Sequence, residues 1–299
     1  MGRGIGTGKI IIFGEHFVVY GAPAIAGGIS NAAIVEVKKA SENSIVTDQK
    51  VIEELTLGGI DGVLRSMEIK DKFEVTLTGD LPTYGGLGSS AAFCVALVRA
   101  FADEKGLHLN TAEINKHAYN GEKAFHGNPS GIDNTIATHG GIIEFRRGKT
   151  EKESKFDFIE MKKPLDMVVS FSGKYSPTAK MVDAVRKFKE TDETEFGQMM
   201  DEYLQIAAEG RKCIEKGKID MIGTLMNSNH SILSELGVCD ENNDRINEIA
   251  LSEGALGAKV TGGGGGGCCI ALAKDDKQAK DIARKLNAKG FDSFATNIR

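Results

Sequence analysis

Long apolar runs are missing from this sequence of 299 residues. No stretch approaches the roughly 20 consecutive apolar residues that a helix needs to cross a bilayer. The opening residues, MGRGIGTGKIIIFGEH, also lack the apolar core and the cleavage site of a secretory signal peptide. We therefore expect a cytoplasmic protein with no membrane partner.

Cysteine is scarce, and its spacing does not form a known framework. The sequence holds five cysteines, an odd number, with Cys268 and Cys269 adjacent and with no CxxC pair. A disulfide scaffold needs an even set, and zinc sites usually draw on paired cysteines at short spacing. The pattern favours buried free thiols over either kind of site.

An excess of positive charge is also absent. Lysine and arginine number 37 against 42 acidic residues, the formal net charge is -5, and the basic residues are scattered along the chain. This balance argues against a nucleic-acid partner, so any anion site must be local. With 41% hydrophobic and 26% charged residues, the chain has the composition of a folded globular protein and enough length for two domains.

Short alternating segments predict strands in the first third of the chain, most clearly KFEVTLT with Phe73, Val75 and Leu77 on one face. Two helices are predicted next, one opening at Ser89 and one at Asn110, and further strands and helices run through the second half. This order is typical of an α+β protein rather than of regular βαβ alternation. The early strands are predicted over residues 9–13, 16–20, 32–37, 44–47 and 72–78.

The stretch LPTYGGLGSSAAFCVALVRAF sets a glycine-rich loop directly before an apolar helix. Gly85, Gly86 and Gly88 remove side chains where a ligand could approach the backbone, and Ser89 and Ser90 open the helix. A helix N-terminus gathers unpaired N–H groups and a positive dipole, so phosphate is the expected guest.

Two familiar phosphate loops do not fit. GRGIGTGKI resembles the end of a P-loop, but Arg3 stands where a glycine is required and Ile10 where Ser or Thr binds magnesium. GGLGSSA carries G-x-G-x-x-A at Gly86, Gly88 and Ala91, yet the preceding strand reads as half exposed and no second strand follows at the spacing of a dinucleotide site.

Three separated segments instead resemble one family, the GHMP kinases: KIIIFGEHFVVYG its first motif, PTYGGLGSSAA its phosphate loop and KVTGGGGGGC its third motif. The resemblance implies a two-domain α+β fold, with a ribosomal-protein-S5-domain-2-like ATP-binding domain over residues 1–154 and a ferredoxin-like domain over 155–299. The sequence departs from the family pattern where GTGK replaces a proline-containing start and where Gly263 replaces a common alanine.

Two segments, GEHFVVYG and HGNPSGIDN, are most similar to the mevalonate-phosphorylating members of that family. The resemblance implies that a homodimer transfers phosphate from ATP, with Mg²⁺, to the 5-hydroxyl of (R)-mevalonate in isoprenoid biosynthesis. Three other acceptor specificities stay open: the 3-hydroxyl of mevalonate, phosphomevalonate, and a sugar such as galactose. A sensor that binds nucleotide without catalysis is the alternative of a different class.

The resemblance also implies a catalytic set. Asp133 would accept the proton of the attacking hydroxyl, Lys9 would lie beside it, and Ser90 with Glu122 would bind magnesium. The plain alternatives are a helix cap for Asp133 and a solvated carboxylate for Glu122. The loop that would bind the ATP phosphates comprises Gly85, Gly86, Leu87, Gly88, Ser89 and Ser90.

The same resemblance implies a set for the acceptor, whose members are Glu15, His16, Arg147 and Thr178. Against it stand a buried structural histidine, a solvent-facing arginine and a threonine that only begins a helix. The glycine run would let backbone approach the site at Gly262, Gly263 and Gly264, where the alternative is a plain bulge between strands. Nothing in residues 39–72 identifies an adenine pocket.

Overall fold

The computed structural model describes residues 1–83, 86–127, 129–148, 153–175 and 177–299. Its chain divides into two compact units, neither of them one continuous segment. Unit 1 comprises Met1–Lys9 and Gly28–Gly140, and unit 2 comprises Ile10–Gly27 and Gly141–Arg299. Contact density and family domains are different criteria, so the division at residues 154 and 155 stays a prediction.

Unit 1 is a sheet covered by helices. Residues Ala33–Ala40 of strand β2 (Pro23–Ala40) pair antiparallel with β4 (Lys72–Gly79), and β3 (Ser44–Val46) pairs parallel with β4 on its other side. The predicted alternation in β4 is confirmed, since Phe73, Val75 and Leu77 are buried. The elements are β1 (Gly2–Phe13) and β2 (Pro23–Ala40), which both continue into unit 2, then β3 (Ser44–Val46), α1 (Glu53–Ser66), β4 (Lys72–Gly79), α2 (Ser89–Lys105), α3 (Thr111–His126) and α4 (Ile132–His139).

The helix starts of unit 1 explain where its functional groups lie. Helix α3 begins with a capping box in which Asn110 and Glu113 each accept a backbone N–H from the other. Helix α2 begins differently, because its N-cap is Gly88 in the left-handed region, with φ 72°. Neither serine of the predicted loop caps it, and among the described residues no side chain does.

Helix α1 was not predicted from the sequence. Its segment LTLGGIDGVL carries three glycines, which normally argue against a helix. In the structure they permit close packing on α3: a Cβ at Gly59 would lie 2.7 Å from the ring of Phe125, and one at Gly62 would lie 2.9 Å from the carbonyl oxygen of Asn120. Tight helix contact thus outweighs the low helix propensity.

Unit 2 contains an antiparallel sheet with the strand order β10 (Ser293–Ile298), β7 (Leu165–Phe171), β9 (Cys268–Ala273) and β8 (Gly257–Thr261). Residues Pro23–Gly27 of β2 pair with β5 (Ile142–Arg146), which pairs with β6 (Lys155–Ile159). Strands β8 and β9 are buried along their whole length. The elements are β5 (Ile142–Arg146), β6 (Lys155–Ile159), β7 (Leu165–Phe171), α5 (Thr178–Thr191), α6 (Glu193–Lys216), α7 (Ile219–Glu235), α8 (Glu241–Ser252), β8 (Gly257–Thr261), β9 (Cys268–Ala273), α9 (Asp276–Ala288) and β10 (Ser293–Ile298).

The predicted strand over residues 16–20 is wrong, because Phe17–Tyr20 form a short 3-10 helix. His16 precedes it with φ 63°, a value uncommon for a residue with a side chain. The Phe17 ring stacks on Tyr203 with centroids 4.6 Å apart, and the Tyr203 hydroxyl donates to the carbonyl of Pro23 at 2.5 Å. These contacts stabilise a compact turn, which the alternation of apolar residues alone would not predict.

The structure bears on two predictions from the sequence, those on free cysteines and on membrane-spanning segments. All five cysteines are free thiols; Cys239 is half-buried and the other four are buried. Within the described residues, every helix is too short or too polar to cross a membrane.

Candidate active site

An ion pair joins two residues of the predicted catalytic set in unit 1. Lys9 Nζ lies 3.3 Å from Asp133 Oδ1, with Lys9 buried on β1 and Asp133 in the first turn of α4. The backbone N–H of Lys9 also donates to the carbonyl of Leu87 at 2.8 Å. The structure therefore joins three segments of the predicted site, and Asp133 is not the cap of α4, since that position belongs to Gly131.

The glycine loop lies directly against this ion pair. A Cβ placed on Gly88 would be 2.9 Å from Lys9 Cγ and 3.8 Å from Asp133 Cβ. Only a residue without a side chain fits there at φ 72°. The first N–H groups of α2, from Ser89 onward, therefore lie beside a lysine and a carboxylate, while Gly85 lies outside the described residues.

Glu122 on α3 completes this set with Ser90. The carboxylate is 1% exposed, and the Ser90 side chain is one of the groups that lower its pKa; Ser90 Oγ lies 3.2 Å from His126 Nε2. Burial, and next the negative charge of Asp133, raise the pKa of Glu122 to about 7. Its Oε1 atom has no hydrogen-bond partner among the described residues, so a buried oxygen ligand is available next to a hydroxyl. This is a donor set that suits a hard cation.

In unit 2, the pair of residues predicted for the acceptor lies beside a lysine. Lys259 Nζ is 2.5 Å from Glu15 Oε1, and neither side chain is exposed. Lys259 also donates to the carbonyl of Val260 at 2.7 Å. The Glu15 carboxylate is thus committed to an internal ion pair.

His16 follows immediately and has a defined tautomer. Its Nε2 lies 3.0 Å from the carbonyl oxygen of Gly263, which can only accept, so Nε2 carries the proton. Burial is the main cause that lowers the pKa of His16, and the positive charge of Lys259 lowers it further. The neutral ring then presents Nδ1 as an acceptor, a buried atom with no partner among the described residues.

The glycine run is held by hydrogen bonds rather than loose. Gly265 N–H donates to Val238 at 2.8 Å, and Asn243 bonds both the N–H and the carbonyl of Gly266, at 3.2 and 3.1 Å. A Cβ on Gly263 would lie 2.9 Å from Thr178 Oγ1, which places the threonine, first residue of α5, beside this loop.

Arg147 differs in exposure from the buried acceptor residues Glu15 and His16. It follows β5 directly and is exposed, whereas its neighbour Arg146 pairs with Glu144 at 3.1 Å. Lys259 is the residue that sequence reasoning missed. Its signal was a lysine inside the buried segment GAKVT, directly before the glycine run, because a charge in an apolar strand requires a partner.

A further cluster lies in unit 2 at the junction of α7 and α8. His230, Cys239 and Asp244 bring their potential ligand atoms within 4.8 Å of one another. Burial raises the pKa of the Cys239 thiol to about 12, and Asn247 Nδ2 already lies 2.9 Å from His230 Nε2. The thiol thus keeps its proton and the imidazole already has a partner, so the arrangement does not argue for a zinc site.

Two domains of one known family match this chain. The N-terminal domain of the GHMP kinases matches residues 54–141, and their C-terminal domain matches residues 211–292. The chain belongs to the GHMP kinase family. It is therefore a kinase with the two-domain α+β fold, and ATP is its phosphoryl donor.

The similar proteins are more specific than the family. Mevalonate kinase of Pyrococcus furiosus is 32% identical over 97% of this chain and 94% of its own length. That of Pyrococcus horikoshii is 35% identical over 97% and 93%. A crystal structure of L. major mevalonate kinase in complex with R-mevalonate matches with a TM-score of 0.92 and 33% identity, covering 100% of this chain and 96% of that one.

Proposed function

We propose that this kinase transfers the γ-phosphoryl group of ATP to the 5-hydroxyl of (R)-mevalonate, giving 5-phosphomevalonate and ADP for isoprenoid synthesis. The observation that carries the proposal is the Lys9–Asp133 ion pair at the uncapped start of α2. It places a fixed carboxylate and a fixed cation beside N–H groups suited to phosphate. Similarity to mevalonate kinases supports the choice of acceptor.

Asp133 is the proton acceptor in this proposal. It orients the attacking hydroxyl and takes its proton, and Lys9 pairs with the carboxylate and steadies the developing alkoxide. The phosphates of ATP bind to the loop from Gly86 to Ser90. Lys9 contacts the same loop through Leu87, so donor and proton acceptor share one support.

Mg²⁺ fits the remaining pair, Ser90 and Glu122. The buried Glu122 Oε1 atom and the Ser90 hydroxyl would hold it, because magnesium prefers oxygen ligands and keeps several waters. When bound, the ion neutralises charge on the transferring phosphoryl group. Ser90 and Glu122 themselves keep the charged phosphoryl group at the N-terminus of α2.

For the acceptor, we assign His16 as a hydrogen-bond acceptor for a substrate hydroxyl through Nδ1, with Thr178 and Arg147 contacting the remaining polar groups. Glu15 contributes to the acceptor site while it stays paired with Lys259. Mevalonate is favoured over 5-phosphomevalonate, because a second phosphate would need further free cations. Lys259 is already paired with Glu15, and Lys174 lies 3.2 Å from Asp240.

The test is a coupled ADP-release assay with mevalonate, 5-phosphomevalonate, homoserine and galactose. Phosphorus NMR then assigns the position of the new phosphate. We expect the highest kcat/KM with mevalonate and phosphate on its 5-hydroxyl. A higher value for another acceptor, or phosphate on the 3-hydroxyl, would overturn the acceptor while leaving the kinase class intact; ADP release with none of them would favour a different small alcohol.

The cellular setting follows from family resemblance and charge. We propose a cytoplasmic homodimer that engages neither membranes nor nucleic acid, consistent with the net charge of -5. Size-exclusion chromatography with light scattering tests the dimer, and a monomeric mass at assay concentrations would contradict it.

A further inference from the structure

The side chain of Lys259 is costly to bury. It lies on β8, whose five residues are all buried, and its side chain is not exposed at all. Removing an ammonium from water is strongly unfavourable unless it is paired and hydrogen-bonded. The pairing with Glu15 and Val260 meets that need. An apolar residue at this position would have had no such need.

The partner of Lys259 is adjacent to a strained residue. His16 has φ 63° and ψ -47°, a conformation that costs roughly 1–3 kcal/mol for a residue with a side chain and persists only when its surroundings hold it. Two contacts hold it from either side. The Glu15 carboxylate is fixed by Lys259, and the His16 ring is fixed by the carbonyl of Gly263.

Both anchors come from one short piece of chain. Lys259 lies on β8 and Gly263 in the glycine run that follows, and Thr261 between them exchanges hydrogen bonds with the backbone of Ile11, at 3.1 and 3.0 Å. The segment 259–263 therefore sets both the backbone and the ring of His16.

The charge of Lys259 has a second effect on His16. It opposes protonation of the ring, in the same direction as burial. Glu15 lies in the same segment, and Tyr203 on α6 has its pKa raised by burial and by the Glu15 charge. The Lys259 charge also acts, as a smaller cause than burial, on the pKa values of His230, Cys239 and Cys269. A neutral His16 keeps the Nδ1 lone pair that a substrate hydroxyl requires.

We propose that Lys259 is a positioning residue for the acceptor: through Glu15 and through its charge it holds His16 in the neutral Nε2–H form with Nδ1 directed to substrate. The proposal rests on the proposed function for the identity of the acceptor. It is more than neutralisation of Glu15, which would make Lys259 dispensable once Glu15 is uncharged.

The test uses that difference. Lys259→Met is made in the wild-type background and in a Glu15→Gln background, with Lys285→Met, a surface lysine 3.9 Å from Glu253, as the matched control. We expect Lys259→Met to raise KM for mevalonate at least about tenfold in both backgrounds and KM for ATP less than about twofold. The acidic limb of kcat/KM should move to higher pH, because His16 protonates more readily.

If the single variant fails to fold, the double variant Glu15→Gln, Lys259→Met carries the test, since it removes both buried charges together. An unchanged KM for mevalonate and an unchanged acidic limb on adding Lys259→Met to Glu15→Gln would overturn the proposal.

Nitrogen NMR of histidine-labelled wild-type protein gives a readout independent of turnover and of every variant. We expect His16 to keep the Nε2–H form at lower pH than an ordinary histidine does, and a His16 that titrates at or above its ordinary value of 6.5 would refute the charge argument. Lack of turnover with mevalonate, alongside a His16 pKa that is higher in Lys259→Met than in the wild type, would instead reject the proposed acceptor and retain the role of Lys259.

Discussion

Replacing Gly88 by alanine tests whether the loop positions Lys9. The substitution has two separable effects. At φ 72°, an alanine costs about 1–2 kcal/mol of backbone strain, partly offset by about 0.4–1 kcal/mol of lost freedom in the unfolded chain. Its Cβ would also lie 2.9 Å from Lys9 Cγ, against 3.4 Å or more in ordinary contacts. The lysine must therefore move by about 0.5 Å.

Gly106→Ala is the matched control, because Gly106 lies at the other end of the same helix. It too is left-handed, with φ 64°, and a Cβ there meets nothing within 4 Å. We expect both variants to lose about 1 kcal/mol of stability, or a few degrees of Tm. Only the Gly88 variant should disturb the ion pair.

The assay is steady-state ADP release with both substrates saturating. A misplacement of about 1 Å can cost roughly a hundredfold, so a shift of about 0.5 Å should lower kcat roughly tenfold in Gly88→Ala. Gly106→Ala should stay within about twofold of the wild type. Equal kcat values for the two variants, at equal loss of Tm, would refute the argument that Gly88 sets the position of Lys9.

Asp133→Asn should lower kcat at least about a hundredfold with an unchanged Kd for ATP by calorimetry, and retained turnover would reduce Asp133 to a structural helix residue. Glu122→Gln should lower kcat and raise the magnesium concentration needed for half-maximal rate; wild-type turnover at limiting magnesium would reject it as a ligand. Burial lowers the pKa of His230 from 6.5, so its contribution to stability is present above about pH 6.5 and is lost as pH falls below it, by at most about 1.4 kcal/mol at pH 5.5. The Tm difference between wild type and His230→Gln should therefore change in favour of the variant on acidification, and a constant difference would contradict this sign.

The sequence predicted the elements whose pattern is local. The alternation in β4 and the helix start at Asn110 depend on residues a few positions apart, and both are confirmed. Helix α1 could not be predicted, because its glycines are explained only by α3, which lies some sixty residues further along. The turn at Phe17 likewise depends on Tyr203.

The site was predictable as motifs and not as chemistry. The motifs named Glu122 and His16, but only the fold shows that Glu122 is buried beside Asp133 with a pKa near 7, or that His16 has one donating and one accepting nitrogen. Lys259 escaped notice because a lysine in a sequence is usually solvated. Its burial depends on Glu15, far away along the chain.

The discontinuity of unit 2 has a consequence for synthesis on the ribosome. Residues 10–27 are translated before the rest of unit 2, but Phe13 packs against Gly210 and Phe17 stacks on Tyr203. At about 5–20 residues per second, these aromatic side chains wait roughly 10–40 s for their partners. During that interval the nascent chain exposes an apolar segment between the two pieces of unit 1, so a chaperone that recognises such segments has its binding site within residues 10–27.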